Sequence, residues 1–315
     1  MKQGKNTIEK SRILIYNSYE FIWEIKGDWS NMFGLRSDGK ELKKASAVFK
    51  LMPNLMKERN DSQVLFSQDI ITDGMDKYIK DKQAEGIKIS YLDIVFAAIN
   101  RIIGERPHLN RFCVNGRTYA RNSIFMSIVI KKGLSDSAEE TPLKLEFDGT
   151  ETIFEVKDKL QGEIAKNKEV EAQSNTDKTV TALTSIPTFL IKIVMGIIRF
   201  MDRHGLLPKF LIKVSPFHTS AFVTNVGSLG IDAIYHHIYN FGTTSMFFAM
   251  GRKKKTYVYI DDELVEKKCI SIAFVGDERI CDGYYYAASF KQLSRYLNKP
   301  YLLEEKGTKV LDDQL

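Results

Sequence analysis

The sequence predicts a mixed α/β fold, and three observations carry that expectation. Apolar, strand-like runs recur through the last third of the chain, at residues 221–226, 245–250, 256–260 and 268–275. Helical spacing recurs elsewhere: at 91–103, Leu92, Val95, Phe96, Ile99, Ile102 and Ile103 fall on one stripe. No Gly/Ser or Pro-rich linker, heptad array or internal repeat divides the 315 residues, so strands and helices are expected to layer round one core.

Taken in order, residues 1–31 read as a helical, aromatic-containing extension without a motif. Asp38-Gly39 marks a turn. A strand is expected at 63–70, then a helix at 74–82 with Met75, Tyr78 and Ile79 on one face. Ser90 suits the N-cap of the 91–103 helix, with Asp93 in its first turn, and Pro107 stops it. Strands are expected at 112–114 and 124–130, joined through the hairpin signal Asn115-Gly116. A charged amphipathic helix is expected at 152–168, a polar break at 175–179, and an apolar helix at 186–201 that Leu206-Leu207-Pro208 ends or kinks. A final helix at 285–297 is expected to pack behind the last strands. The division is a 1–31 extension, a 32–305 domain and a 306–315 tail.

The composition excludes some classes. A net charge of +6, from 46 basic and 40 acidic residues, is a mild excess spread along the chain. It favours weak attraction to anions such as a phosphate-bearing small molecule and does not argue for nucleic acid. The three cysteines, Cys113, Cys269 and Cys281, form no Cys-x-x-Cys pair, so a reduced, cytoplasmic setting is expected. Met1-Lys2-Gln3-Gly4-Lys5 leads into polar sequence and not into a signal-peptide core. The 186–201 segment is interrupted by Pro187, Lys192 and Arg199 and falls short of the roughly 20 apolar residues of a spanning helix. A buried or partner-facing helix is expected there, and membrane association is not. No histidine or cysteine spacing indicates a metal.

Three patches carry a resemblance. The first is Arg106-Pro107-His108-Leu109-Asn110-Arg111-Phe112, following an apolar helix. The second is Val223-Thr224-Asn225-Val226-Gly227-Ser228-Leu229-Gly230. The third is Asp277-Glu278-Arg279-Ile280-Cys281-Asp282-Gly283. In order and spacing, residues from about 34 to 300 resemble the catalytic domain shared by chloramphenicol acetyltransferase and the dihydrolipoyl acyltransferases of 2-oxoacid dehydrogenase complexes. The third patch is similar to that family's Asp-His-Arg-x-x-Asp-Gly, with Glu278 at the histidine position.

The resemblance implies a chloramphenicol acetyltransferase-like mixed-sheet sandwich with packed helices, assembled as a homotrimer with sites between subunits. It implies coenzyme A or an acyl-coenzyme A as substrate, an unidentified small-molecule acceptor and no metal. Nothing in the sequence resembles an attached lipoyl domain. Thr224 falls on the hydroxyl that donates to the oxyanion, Asp282 on the aspartate that fixes the loop, and Glu278 on the general base. Thr224 also suits a strand for its β-branching alone, and Asp282-Gly283 a turn.

Glu278 is the departure. An unperturbed glutamate has a pKa of about 4.3 against about 6.5 for histidine, a deficit of roughly 3 kcal/mol in proton affinity. Three readings stand: a surface residue of a silent site, a base retuned by burial, or a base for other chemistry. His236 and His237 form the most suggestive alternative source of a base, and His237 is carried as a candidate. His218 is a weaker one, and His108 and His204 read as structural. Arg252-Lys253-Lys254-Lys255 reads as a solvated turn between strands, with contact to coenzyme A phosphates as its sharper reading. The leading expectation is therefore acyl transfer from coenzyme A or a carrier thioester. Its rival is a catalytically silent family member serving as a structural or ligand-binding subunit. A third is a membrane-surface or partner-binding protein using the 186–201 helix.

Overall fold

A computed structural model describes residues 36–131, 140–169 and 187–315. Two sheets and a layer of helices make up the described fold. The larger sheet has six strands in the order β2-β9-β8-β7-β5-β6, formed by β2 (Gln63–Ile71), β5 (Ile124–Lys131), β6 (Glu140–Phe147), β7 (Ala221–Asn225), β8 (Met246–Ile260) and β9 (Glu263–Asp277). β7 runs parallel to both β5 and β8, and the remaining pairs are antiparallel. The smaller sheet, in the order β1-β4-β3, comprises β1 (Gly39–Glu41), β3 (Arg111–Val114) and β4 (Arg117–Arg121).

The helices are α1 (Ala47–Leu55), α2 (Asp73–Ala84), α3 (Tyr91–Glu105), α4 (Ile153–Glu169), α5 (Thr188–Arg203), α6 (Lys209–Val214) and α7 (Gly283–Asn298). α3 is held by the expected cap, a reciprocal box in which the Ser90 and Asp93 side chains each bond the other residue's backbone N–H. Its burial goes further than one stripe: every residue from Asp93 to Gly104 is buried, Asn100 and Arg101 included. α3 is the central helix of the core. It packs against α4, α7 and β5, and its apolar side chains share one cluster with Met126 and Ile128 of β5, Phe248 of β8 and Phe274 of β9. Phe66, Phe274 and Phe290 close that core edge to face, with centroids 4.3–5.0 Å apart.

Most expected elements appear with shifted ends. Two expectations are corrected. Asn115-Gly116 is a hairpin turn, with φ of 50° and 73°, but it joins β3 to β4 in the small sheet and not β3 to β5. β4 lacks a clear apolar alternation, its Arg117 and Arg121 ends masking a strand that is buried from Thr118 onward. The run Arg252–Lys255 is not a turn: it lies inside β8, which passes a register shift between Met250 and Lys253 and continues to Ile260. The turn comes at Asp261-Asp262, both at positive φ, where short polar side chains tolerate the left-handed region. Partners on neighbouring strands and helices keep the cations in the strand. Lys253 reaches Asp76 at 2.6 Å, Lys255 reaches Glu266 at 2.9 Å, and Arg252 reaches Asp232 at 2.9 Å. The 1–31 extension and the 175–179 break lie outside the described residues.

Residues beyond 305 are held against the domain. Asp312 forms a bidentate pair with buried Arg111 at 2.6 and 2.8 Å, and Gly307 N–H donates to Thr150. A second buried network ties the end of α5 to the start of the described chain. Arg36 Nη2 donates to Asp202 Oδ1 at 2.8 Å, and His218 Nε2 lies 3.2 Å from the same oxygen.

Burial alone would raise the Asp202 carboxyl, but His218 and Arg36 outweigh it and hold it down to about 2. A depressed folded-state pKa contributes stability that is present above the unfolded value, near 3.8, and is lost as pH falls through about 2. Urea titrations should therefore find the stability gap between wild type and Asp202→Asn shrinking by about 2 kcal/mol between pH 5 and pH 2. A constant gap would show that Asp202 is not held as an ion pair.

Candidate active site

The segment carrying Glu278 leaves β9 at Asp277 and enters α7 at Gly283. Asp277 is completely buried and anchors the turn. Arg279 grips its carboxylate at 2.7 and 2.8 Å, Ser62 Oγ donates to it at 2.9 Å, and Arg59 Nε stands 3.7 Å away. Tyr286 donates to the Asp277 carbonyl at 2.9 Å, and Glu278 N–H donates to Ser62 O at 2.8 Å.

One carboxylate between two guanidiniums explains their opposite shifts. Burial opposes the charge on both. Arg279, with the direct bonds, is nonetheless raised, whereas Arg59, without a direct bond to Asp277 and beside Arg279, is lowered. Arg59 also donates to the carbonyls of Tyr239 and Cys113, so the loop is tied to two further segments.

On this anchored turn the Glu278 side chain is exposed. Asp282 is exposed as well and caps α7, accepting from Tyr285 N–H at 2.8 Å. Asp282→Ala should cost about 1 kcal/mol, read in thermal unfolding. A loss above about 3 kcal/mol would mean that Asp282 holds more than a helix end. Cys281, within the turn, is buried, and that burial pushes its thiol up.

Thr224 lies near the end of β7, half-buried, opposite Ala249 of β8. The turn after it is fixed by Asn225, whose side chain accepts from Ser228 N–H, and by Gly227, where a Cβ would stand 2.4 Å from the Gly251 carbonyl oxygen. Register separates Thr224 from Glu278. Ala249 pairs with Ala273, so Glu278, just past the end of β9, lies five residues further along the chain and two strands across. That is more than roughly 13 Å along the strand direction, far beyond hydrogen-bond reach. Within one chain the two candidates are not brought together.

His237 is exposed, on the irregular segment between Gly230 and β8. His236 stacks on Phe247 at 4.2 Å and on His237 at 4.6 Å, and the segment is tied to the Glu278 turn through the Tyr239–Arg59 bond. The other histidines are structural. His218 is buried between Ser215 and Asp202, His204 bonds the Phe200 carbonyl, and His108 stacks on Tyr285 at 4.3 Å. His108, Asp312 and Asp313 bring three potential metal donors within 4.8 Å, but both Asp312 oxygens are already taken by Arg111. A cleft of about 130 Å³ lined by Gly104, Asn110, Arg121 and Leu315 contains neither Glu278 nor Thr224.

Residues 214–304, which include Thr224, Glu278 and Asp282, match the catalytic-domain family of the 2-oxoacid dehydrogenases acyltransferases. Among solved structures, a probable dihydrolipoamide acetyltransferase from Listeria monocytogenes superposes with a TM-score of 0.51 at 16% identity, covering 81% of this chain and 93% of that one. The dihydrolipoamide acetyltransferase of Azotobacter vinelandii gives 0.53 at 10% identity, with 88% and 96% covered. Chloramphenicol acetyltransferase gives 0.50 at 10% identity, with 82% and 99% covered. This is the acyltransferase fold. No curated protein matches the sequence. At these identities the structural likeness is one of architecture, and it bears out the mixed-sheet sandwich with packed helices expected from the three patches.

The acyltransferase fold brings into view what the sequence did not. Asp277, Arg279, Arg59 and Ser62 hold the motif turn, and Asp282 only caps the helix after it. Asp277 and Arg279 flank Glu278 in sequence and were open to notice, but nothing local marks Arg59 or Ser62, which arrive from 215 or more residues away.

Proposed function

We propose that the chain transfers an acyl group from coenzyme A or a carrier thioester to a small-molecule acceptor, at a site assembled between copies of the chain. The observation that carries this reading is the anchored turn, which presents to solvent the Glu278 that the motif resemblance sets in the place of the family's general base. With Thr224 and Glu278 apart in one chain, the reading draws the other half of the site from a second copy, in a proposed homotrimer. The Azotobacter vinelandii enzyme is one in which a serine, a histidine and an asparagine were tested for roles in its mechanism. Its asparagine follows its histidine by four residues, as Asp282 follows Glu278.

In the proposed reaction Glu278 accepts the proton from the acceptor thiol or hydroxyl as that atom attacks the thioester carbonyl. The Thr224 hydroxyl of a neighbouring copy donates to the oxyanion of the tetrahedral intermediate. Collapse expels the coenzyme A thiolate, which takes up the proton held by Glu278. Asp282 keeps the start of α7 in place, and His237 stands as a secondary candidate near the turn.

A second reading rests on one observation: the Glu278 side chain is exposed on its turn, as a surface residue of a silent site would be. On that reading the chain is a silent relative that binds ligands or partners through the same scaffold. Calorimetric titration with acetyl-coenzyme A tests the first reading. Saturable binding is expected for the enzyme, and no binding by an assembled protein would sink it.

A further inference from the structure

α5 and α6 expose an apolar surface edged by cations. No residue of α5 is buried except Asp202. Phe189, Ile193, Ile197 and Phe200 recur at helical spacing and are 62%, 55%, 53% and 58% exposed, so one apolar stripe runs along the helix in contact with water. Advancing 100° per residue, Lys192, Arg199 and Arg203 fall on the strip beside that stripe. α6 continues the patch with exposed Phe210 and Val214 and the cation Lys213.

The charge is one-sided. From Thr188 to Val214 the chain has five lysines and arginines and one acid, Asp202, which is buried against Arg36 and His218. The patch therefore offers an apolar face edged by cations; the exposed carboxylate beside it, Glu58, is taken up by Arg203 at 3.2 Å, which leaves exposed Lys192, Arg199 and Lys213 to set its charge.

We infer that this face lies on an anionic lipid bilayer, with α5 in the plane of the interface, its phenylalanines and isoleucines among the acyl chains and its cations at the headgroups. The charge pattern selects this occupant. A twofold contact with a second copy would set Lys192, Arg199 and Lys213 against their own copies, with the nearby Glu58 already paired with Arg203. The first 35 residues carry five basic and four acidic side chains, so they offer no matching negative field. An anionic headgroup layer offers both the apolar phase and the counter-charge. The helix rests on the membrane and does not cross it: among the described residues no helix is long and apolar enough to span. This departs from the sequence-based expectation that membrane association is absent, because the apolar side of the helix does not face the core.

Cosedimentation of the full chain with vesicles tests the inference. Binding is expected to phosphatidylcholine vesicles containing phosphatidylglycerol, to weaken as salt rises, and to be slight for phosphatidylcholine alone. Phe189→Ser with Phe200→Ser, and separately Lys192→Glu with Arg199→Glu, should each lower partitioning by about tenfold or more while thermal unfolding is unchanged. A direct readout avoids reliance on these variants. The native cysteines are buried, so an environment-sensitive dye on Ile193→Cys reports the stripe alone and should shift to the blue with the anionic vesicles.

Wild type remaining in the supernatant, an unshifted dye, or binding retained by both double variants overturns the inference. So does a wild-type self-association that the phenylalanine variant abolishes while vesicles have no effect, which would assign the stripe to a second copy.

Discussion

Asp277→Ala is expected to destabilise the domain by about 3–5 kcal/mol, the loss that follows when one partner of a buried ion pair is removed. The substitution leaves Arg279 and Arg59 buried without their counter-charge and Ser62 Oγ without its Asp277 acceptor. Since domains are stable by only about 5–15 kcal/mol, the variant should melt far below wild type or accumulate unfolded. The urea midpoint reads this directly. The control is Arg203→Ala at the exposed Arg203–Glu58 pair, where less than about 1 kcal/mol is expected. A change of similar size in the two variants would show that Asp277 does not anchor the turn.

Glu278→Gln should leave the urea midpoint within about 0.5 kcal/mol of wild type, because the side chain is exposed. Its effect is expected in turnover, a loss of about a hundredfold or more if Glu278 is the base. Thr224→Val should cost a similar factor through the lost oxyanion donor. Because the two residues stand far apart in one chain, unfolding the two variants together and reassembling them should restore activity in mixed assemblies. Unrestored activity would place the site within a single copy. Glu278→His raising activity above wild type would instead mark the natural site as a silenced one.

The fold was legible where the pattern is local. The α3 stripe, its Ser90–Asp93 cap and β7 could be read because helical period, cap chemistry and strand composition agree within short windows. The misreadings come from partners distant in sequence. Arg252–Lys255 resembles a turn until Asp76, Asp232 and Glu266 are set beside it, and β4 is a strand because the small sheet accepts it. The same holds for the site. Glu278, Thr224 and Asp282 were found by their motifs, and the structure places two of them on one turn and the third on another row of the sheet. The apolar period of α5 is visible in sequence, but that its stripe faces solvent is a tertiary fact.

The central claim is that Glu278 of one copy and Thr224 of another act on one thioester. An experimental structure of the assembled protein with coenzyme A tests it most directly. The account predicts an oligomer with the coenzyme A sulfur in a channel at a subunit boundary, within hydrogen-bond reach of both side chains. A stable monomer, or an assembly in which Glu278 and Thr224 open onto separate surfaces, would contradict it.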